Sequence, residues 1–95
     1  MPERRVTVAA PEGLHARPAA QFVKAVADSG AAVTIGRPAG GDPVDARSIL
    51  AVLTLDVRQG EEVVLRADGT GAVAALERLA GLLAGAVPEG EAGDG

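Results

Sequence analysis

The sequence predicts an α+β domain, with helices covering one face of a four-stranded, mainly antiparallel sheet. Three observations predict it. Segments with strand-like alternation and segments with helical spacing follow in the order strand, helix, strand, strand, helix, strand, helix. Gly- and Pro-containing breaks separate them, among them Pro11–Gly13, Arg37–Asp42 and Asp68–Gly71. Finally, 95 residues that are 47% hydrophobic but only 1% aromatic leave room for one sheet and a few helices, packed from Val, Leu, Ile and Ala around the single Phe22.

Taken in order, residues 4–9 alternate as a strand with Val6 and Val8 on one face. After the turn Ala10-Pro11-Glu12-Gly13, a helix is expected over 16–28, burying Ala19, Phe22, Val23 and Val26 and ending at Ser29-Gly30. Pro18 suits its first turn, where the missing N–H is not needed. Residues 31–36 form the second strand. Turn residues 37–42 make a hairpin that returns through a short strand at 43–45, and Pro43 places that strand at an edge. Ser48 opens a second helix to about Leu55, with Val52 and Leu55 as core contacts. A strand over 61–67 points Val63 and Leu65 inward. The last helix, with Thr70 as its expected cap, runs to Ala86 with an apolar stripe of Val73, Leu76, Leu79, Leu82 and Leu83. Pro88 stops it. The apolar-poor residues 88–95 are expected to be a disordered acidic tail, leaving 1–87 as the domain.

Charge and composition exclude several functions. Of 13 acidic residues, Glu89, Glu91 and Asp94 lie in the tail without basic partners, leaving 10 acidic against 9 basic residues elsewhere. There is no basic, aromatic-studded face for a nucleic acid. Absence of Cys excludes disulfides and a catalytic thiol, and one His with scattered carboxylates makes no metal-ligand cluster, so neither metal nor cofactor is expected. Met1–Arg5 lacks the apolar run of a signal peptide, and no stretch is apolar enough for insertion in a membrane, so a cytoplasmic protein is expected.

The one histidine, His15, falls where the first helix begins. There, unpaired N–H groups and the positive end of the helix dipole favour an anion, phosphate in particular. By itself a lone His is more often a surface or capping residue. Gly13-Leu14-His15-Ala16-Arg17-Pro18-Ala19-Ala20, extended from Ala10-Pro11 to Gln21-Phe22-Val23-Lys24, resembles the active-site segment of the HPr family, the histidine phosphocarriers of the bacterial phosphoenolpyruvate-dependent phosphotransferase system. The likeness continues through Ala46-Arg47-Ser48-Ile49-Leu50 and Gly60-Glu61-Glu62-Val63 and covers about residues 3–87.

That resemblance implies an open-faced β-sandwich (βαββαβα) with spatial strand order one, four, two, three under the first and last helices. The 37–43 hairpin is somewhat longer than the family's. It implies a carrier that accepts a phosphoryl group on His15 from phospho-enzyme I and passes it to sugar-specific IIA domains, a substrate of its partners rather than a self-sufficient enzyme. Arg17 would balance the phosphate charge, and the first-turn N–H groups, those of Ala16 and Arg17, would hold its oxygens. Ser48, an ordinary N-cap by itself, matches a serine that in some HPr proteins a kinase phosphorylates and a phosphatase restores. Too many apolar residues crowd the 48–55 helix, so Ile49, Leu50 and Leu53, with Ala20, Lys24 and Arg47 beside them and Arg17 and Arg58 around, are expected to form the partner-binding surface of a monomer. Two alternatives remain at this stage: a regulatory carrier of the nitrogen branch, and a non-phosphorylated adaptor that uses the 48–55 patch alone. Asp56 stands where the family often has Gly, at a left-handed turn that Asp tolerates.

Overall fold

The computed structural model describes residues 2–85. Strands β1 (Glu3–Thr7), β2 (Ala32–Gly36), β3 (Val44–Asp45) and β4 (Glu62–Asp68) alternate with helices α1 (Ala16–Ser29), α2 (Ile49–Thr54) and α3 (Ala72–Leu83), in the order expected. They form one sheet with the spatial order β1-β4-β2-β3, and each neighbouring pair is antiparallel. Val6 stands opposite Val63 and Ile35 opposite Leu65, so the apolar sides of three strands share one face. Helices α1 and α3 cover it, and Phe22, Val26, Val33, Ile35, Leu65 and Leu79 are almost wholly buried between the layers. Burial of Phe22 alone contributes about 1.5–3 kcal/mol. The other face stays open and polar, with Arg66 pairing Glu3 at 2.9 Å across the β1–β4 ladder.

Several expected boundaries move, each for a local reason. β1 ends at Thr7 rather than residue 9, because the Ala9 N–H leaves the ladder and donates to the Leu83 carbonyl of α3. The β3 strand shrinks to two residues. Pro43, without an N–H, lies outside it, and the hairpin turns through Gly40 and Gly41 at positive φ. Thr70 does not cap α3. Gly71, at φ 82°, is the N-cap, and Ala72 N–H donates to the Gly69 carbonyl. Val73 is 61% exposed, and the buried stripe runs instead through Ala72, Ala75, Leu76, Leu79, Ala80 and Leu83, with Leu82 partly buried. Val23 and Leu55 are likewise only partly buried. The described part of α3 ends at Leu83. Ala86, Pro88 and the expected acidic tail lie outside the described residues. No helix among the described residues is long and apolar enough to cross a membrane.

Candidate functional site

His15 is carried by a loop that approaches residues 57–58 closely. Gly13 adopts φ 73°, and a Cβ there would lie 2.5 Å from the Val57 carbonyl oxygen and 2.8 Å from Arg58 Cα, so only glycine fits. The next residue, Leu14, is fully buried and its N–H donates to that same Val57 carbonyl at 2.9 Å. His15 follows in an extended conformation as the N-cap of α1, and its carbonyl accepts from Ala19 N–H while its ring caps nothing. Ala16 then turns into the helix with φ 50°, a left-handed backbone that costs a non-glycine residue about 1–2 kcal/mol. The helix start therefore leaves first-turn N–H groups without intrahelical partners next to a ring whose side chain is 35% exposed.

Asp56 is the residue the sequence did not place here. Its Oδ1 lies 3.1 Å from His15 Nε2, across 41 positions of sequence. Asp56 has φ 52°, the left-handed turn expected of it, and follows the Leu55 C-cap of α2. Its other carboxylate oxygen accepts from the Arg58 guanidinium at 3.2 Å, and Arg58, then the nearby His15 ring, hold the Asp56 carboxyl below its usual range. Arg37, expected only as a turn residue, reaches back from the hairpin. Its guanidinium donates to the carbonyls of Leu55 at 2.7 Å and Asp56 at 3.0 Å and pairs Glu61 at 3.4 Å. Glu61 in turn accepts from Arg58 N–H at 2.8 Å, and that contact, then the Arg37 charge, lowers its carboxyl.

The other residues named from the sequence fall as follows. Arg17, two residues from His15, is exposed and engages no acidic side chain among the described residues. Ala20 and Lys24 lie at helical spacing from it on the exposed side of α1, and Lys24 pairs Asp28 at 3.1 Å. Arg47 is drawn to Asp45 at 3.3 Å and Arg58 to Asp56, so three of the four cations expected around the docking surface already have acidic partners. Such exposed pairs exchange easily. Ser48 caps α2, its Oγ accepting from Ala51 N–H at 3.2 Å. Beside it Leu50 is 73% and Ile49 38% exposed, whereas Leu53 packs partly against the core and Val52 is buried. Asp56, Arg58, Glu12, Pro11 and Gln59 line a shallow cleft with His15.

Comparison with known proteins places the chain among HPr phosphocarriers. The model of the family described as "PTS HPr component phosphorylation site" matches residues 2–85. The phosphocarrier protein HPr of Streptomyces coelicolor is 56% identical over 89 residues, spanning 94% of this chain and 95% of that protein. The HPr of Haloferax volcanii is 47% identical over 81 residues, 85% and 91% of the two chains. The crystal structure of HPr from Bacillus anthracis superposes with a TM-score of 0.80 at 34% identity, covering 86% of this chain and 95% of that one.

Proposed function

The chain belongs to the PTS HPr component phosphorylation-site family, and from this premise we infer that His15 is the residue on which it carries the phosphoryl group. It is a phosphocarrier of the phosphotransferase system. The observation that supports His15 is its placement as a partly exposed N-cap, next to first-turn N–H groups and an Arg17 that no acidic side chain among the described residues occupies. Phosphoryl transfer needs mainly positioning and charge stabilisation. The Nδ1 nitrogen acts as nucleophile, the N–H groups of Ala16 and Arg17 take the phosphate oxygens, and the Arg17 guanidinium balances their charge.

Phospho-enzyme I is the donor and sugar-specific IIA domains are the acceptors in this reading, meeting the carrier in the cytoplasm where phosphoenolpyruvate is made. Exposed Leu50 and Ile49 provide an apolar centre for both partners, with Ala20 and Leu53 at its border and Lys24, Arg47 and Arg58 at its rim. We take the monomer as the carrying form, since His15 and the α2 surface are both open on the single chain. A phosphate on Ser48, placed by a kinase and removed by a phosphatase, would sit at a helix start but add negative charge to this surface and weaken docking of acidic partners. Nothing in the site favours the nitrogen-branch or adaptor alternatives.

The test is phosphorylation of the purified protein with labelled phosphoenolpyruvate and enzyme I. Label should enter the wild type, be lost in acid as a phosphoramidate is, and be absent from His15→Ala. Arg17→Ala should slow its entry without loss of stability. Label in His15→Ala, or label stable to acid, would refute the assignment.

A further inference from the structure

A neutral imidazole has one N–H and one lone pair, and an ionised carboxylate can only accept. In the neutral ring, contact between His15 Nε2 and Asp56 Oδ1 at 3.1 Å therefore calls for the proton on Nε2 and the lone pair on Nδ1. We propose that Asp56 is a positioning residue for the transfer, whose carboxylate fixes both the tautomer and the rotation of the His15 ring so that Nδ1 faces the incoming phosphorus. The proposal rests on the reading of His15 as the phosphoryl carrier and says how this chain prepares that residue.

Four features make the contact more than a chance meeting of two exposed side chains. Both backbones are clamped: Leu14 and Val57, the neighbours of His15 and Asp56, are fully buried and joined by the 2.9 Å bond between Leu14 N–H and the Val57 carbonyl. Gly13 allows the two segments to touch, where any side chain would strike the backbone of Val57 and Arg58. Arg37 ties the Leu55 and Asp56 carbonyls, fixing the left-handed turn from which the carboxylate projects. Arg58 occupies Oδ2, which leaves Oδ1 for the ring and keeps the group ionised. Among the charged groups nearby, Glu12 shares the cleft, and Arg17 lies on the helix side of the ring.

In the forward step the Nδ1 lone pair forms the N–P bond while the bond from phosphorus to the donor's leaving atom breaks, its electron pair staying with the donor. The Nε2 proton does not move. The ring becomes cationic, and Asp56 lies 3.1 Å from the nitrogen that keeps the proton. In onward transfer the N–P electron pair returns to Nδ1 and the ring is neutral again. Asp56 touches neither phosphorus nor phosphate, so it acts through the ring.

The experiment compares wild type, Asp56→Gly and Asp56→Asn. Glycine suits φ 52° and removes the acceptor, while asparagine keeps an acceptor oxygen without the charge. The 15N shifts of the His15 ring, recorded on unphosphorylated protein with the ring neutral, report the tautomer. Single-turnover labelling reports the rate. The Nε2–H form should dominate in wild type. In Asp56→Gly it should give way to a mixture, with transfer slowed about two- to fivefold, the scale of an exposed pair, and Asp56→Asn, whose single oxygen must serve both the ring and Arg58, should fall between the two. An unchanged ring in Asp56→Gly overturns the proposal, as does a shifted ring with an unchanged rate. Wild type that takes no label overturns the parent reading instead, and the ring measurement, made without phosphate, tells the two failures apart.

Discussion

Replacing Gly13 with alanine should be among the most damaging single-methyl additions in this protein, and its cost can be divided in two. The residue has φ 73°, so alanine incurs the left-handed penalty of about 1–2 kcal/mol. The new Cβ would also lie 2.5 Å from the Val57 oxygen and 2.8 Å from Arg58 Cα, both backbone atoms with no side chain to swing aside. Overpacking of this kind costs about 1–3 kcal/mol, for a total of about 2–5 kcal/mol. In a domain of this size each kcal/mol lowers Tm by about 4–8 °C, so a fall of about 8 °C or more is expected. Gly30→Ala is the control. It has nearly the same φ, 74°, but its Cβ would meet nothing within 4 Å, so it should lose only the backbone share of about 1–2 kcal/mol. With no Trp or Tyr in the chain, circular dichroism in urea and on heating is the suitable assay. Equal losses in the two variants would refute the close approach of the 10–15 loop to residues 57–58.

Three further outcomes follow from the same geometry. Arg37→Met keeps the aliphatic stem but leaves the Leu55 and Asp56 carbonyls without their donor, and should cost about 1–3 kcal/mol in urea unfolding; a loss within 0.5 kcal/mol, on the order of a neutral surface change, would show the clasp is idle. Ser48→Ala removes the acceptor of Ala51 N–H and should cost about 1 kcal/mol, whereas Ser48→Gly should cost a few tenths; the reverse order would argue against capping. The carboxyls of Asp56, Asp45 and Glu61 are all lowered in the folded state, chiefly by Arg58, by the Arg47 N–H and by the Arg58 N–H respectively. Folded protein thus gives up these protons more readily than unfolded chain. Their contribution is complete above the usual carboxylate range near pH 4 and is lost as pH falls through the lowered values. Stability measured from pH 6 to pH 3 should decline, and Glu61→Gln should make that decline shallower; an unaltered slope would remove Glu61 from the account.

The elements and the histidine were legible because their signals are local. Alternation in 61–67, the stripe in α1 and the Gly-Leu-His-x-Arg-Pro string each need only a few consecutive residues, and Ser48 announced its cap in the same way. The Val73 and Thr70 expectations failed through rules applied without phase. A Leu/Val count favours Val73 over the alanines, yet Ala72, Ala75 and Ala80 are the side chains small enough to lie buried where α3 packs closely on the sheet and on α1. At Asp68–Gly71 the turn was recognised, but the two glycines at φ 93° and 82° complete it without a hydroxyl. The Asp56 carboxylate and the Arg37 clasp had no local signal at all. They depend on how the 10–15 loop and the hairpin end register against residues 55–58, and contacts across 41 and 19 positions are set by the packing of the whole sheet.

That register also explains why the strain gathers where it does. Gly13, Ala16 and Asp56, at φ 73°, 50° and 52°, are left-handed residues brought to one side of one histidine, and two of them are not glycine. Nothing local favours Ala16 in that conformation. It persists because Leu14 before it and Ala19 and Phe22 after it are fixed in the core and leave the chain no relaxed route between them. A carrier whose histidine lies in so open a cleft gains from having the ring already set before a partner docks, since every side chain ordered at the moment of docking costs affinity. Strain held by the core, a tautomer held by Asp56 and a turn held by Arg37 all place that ordering in the folding of the domain, before any partner arrives.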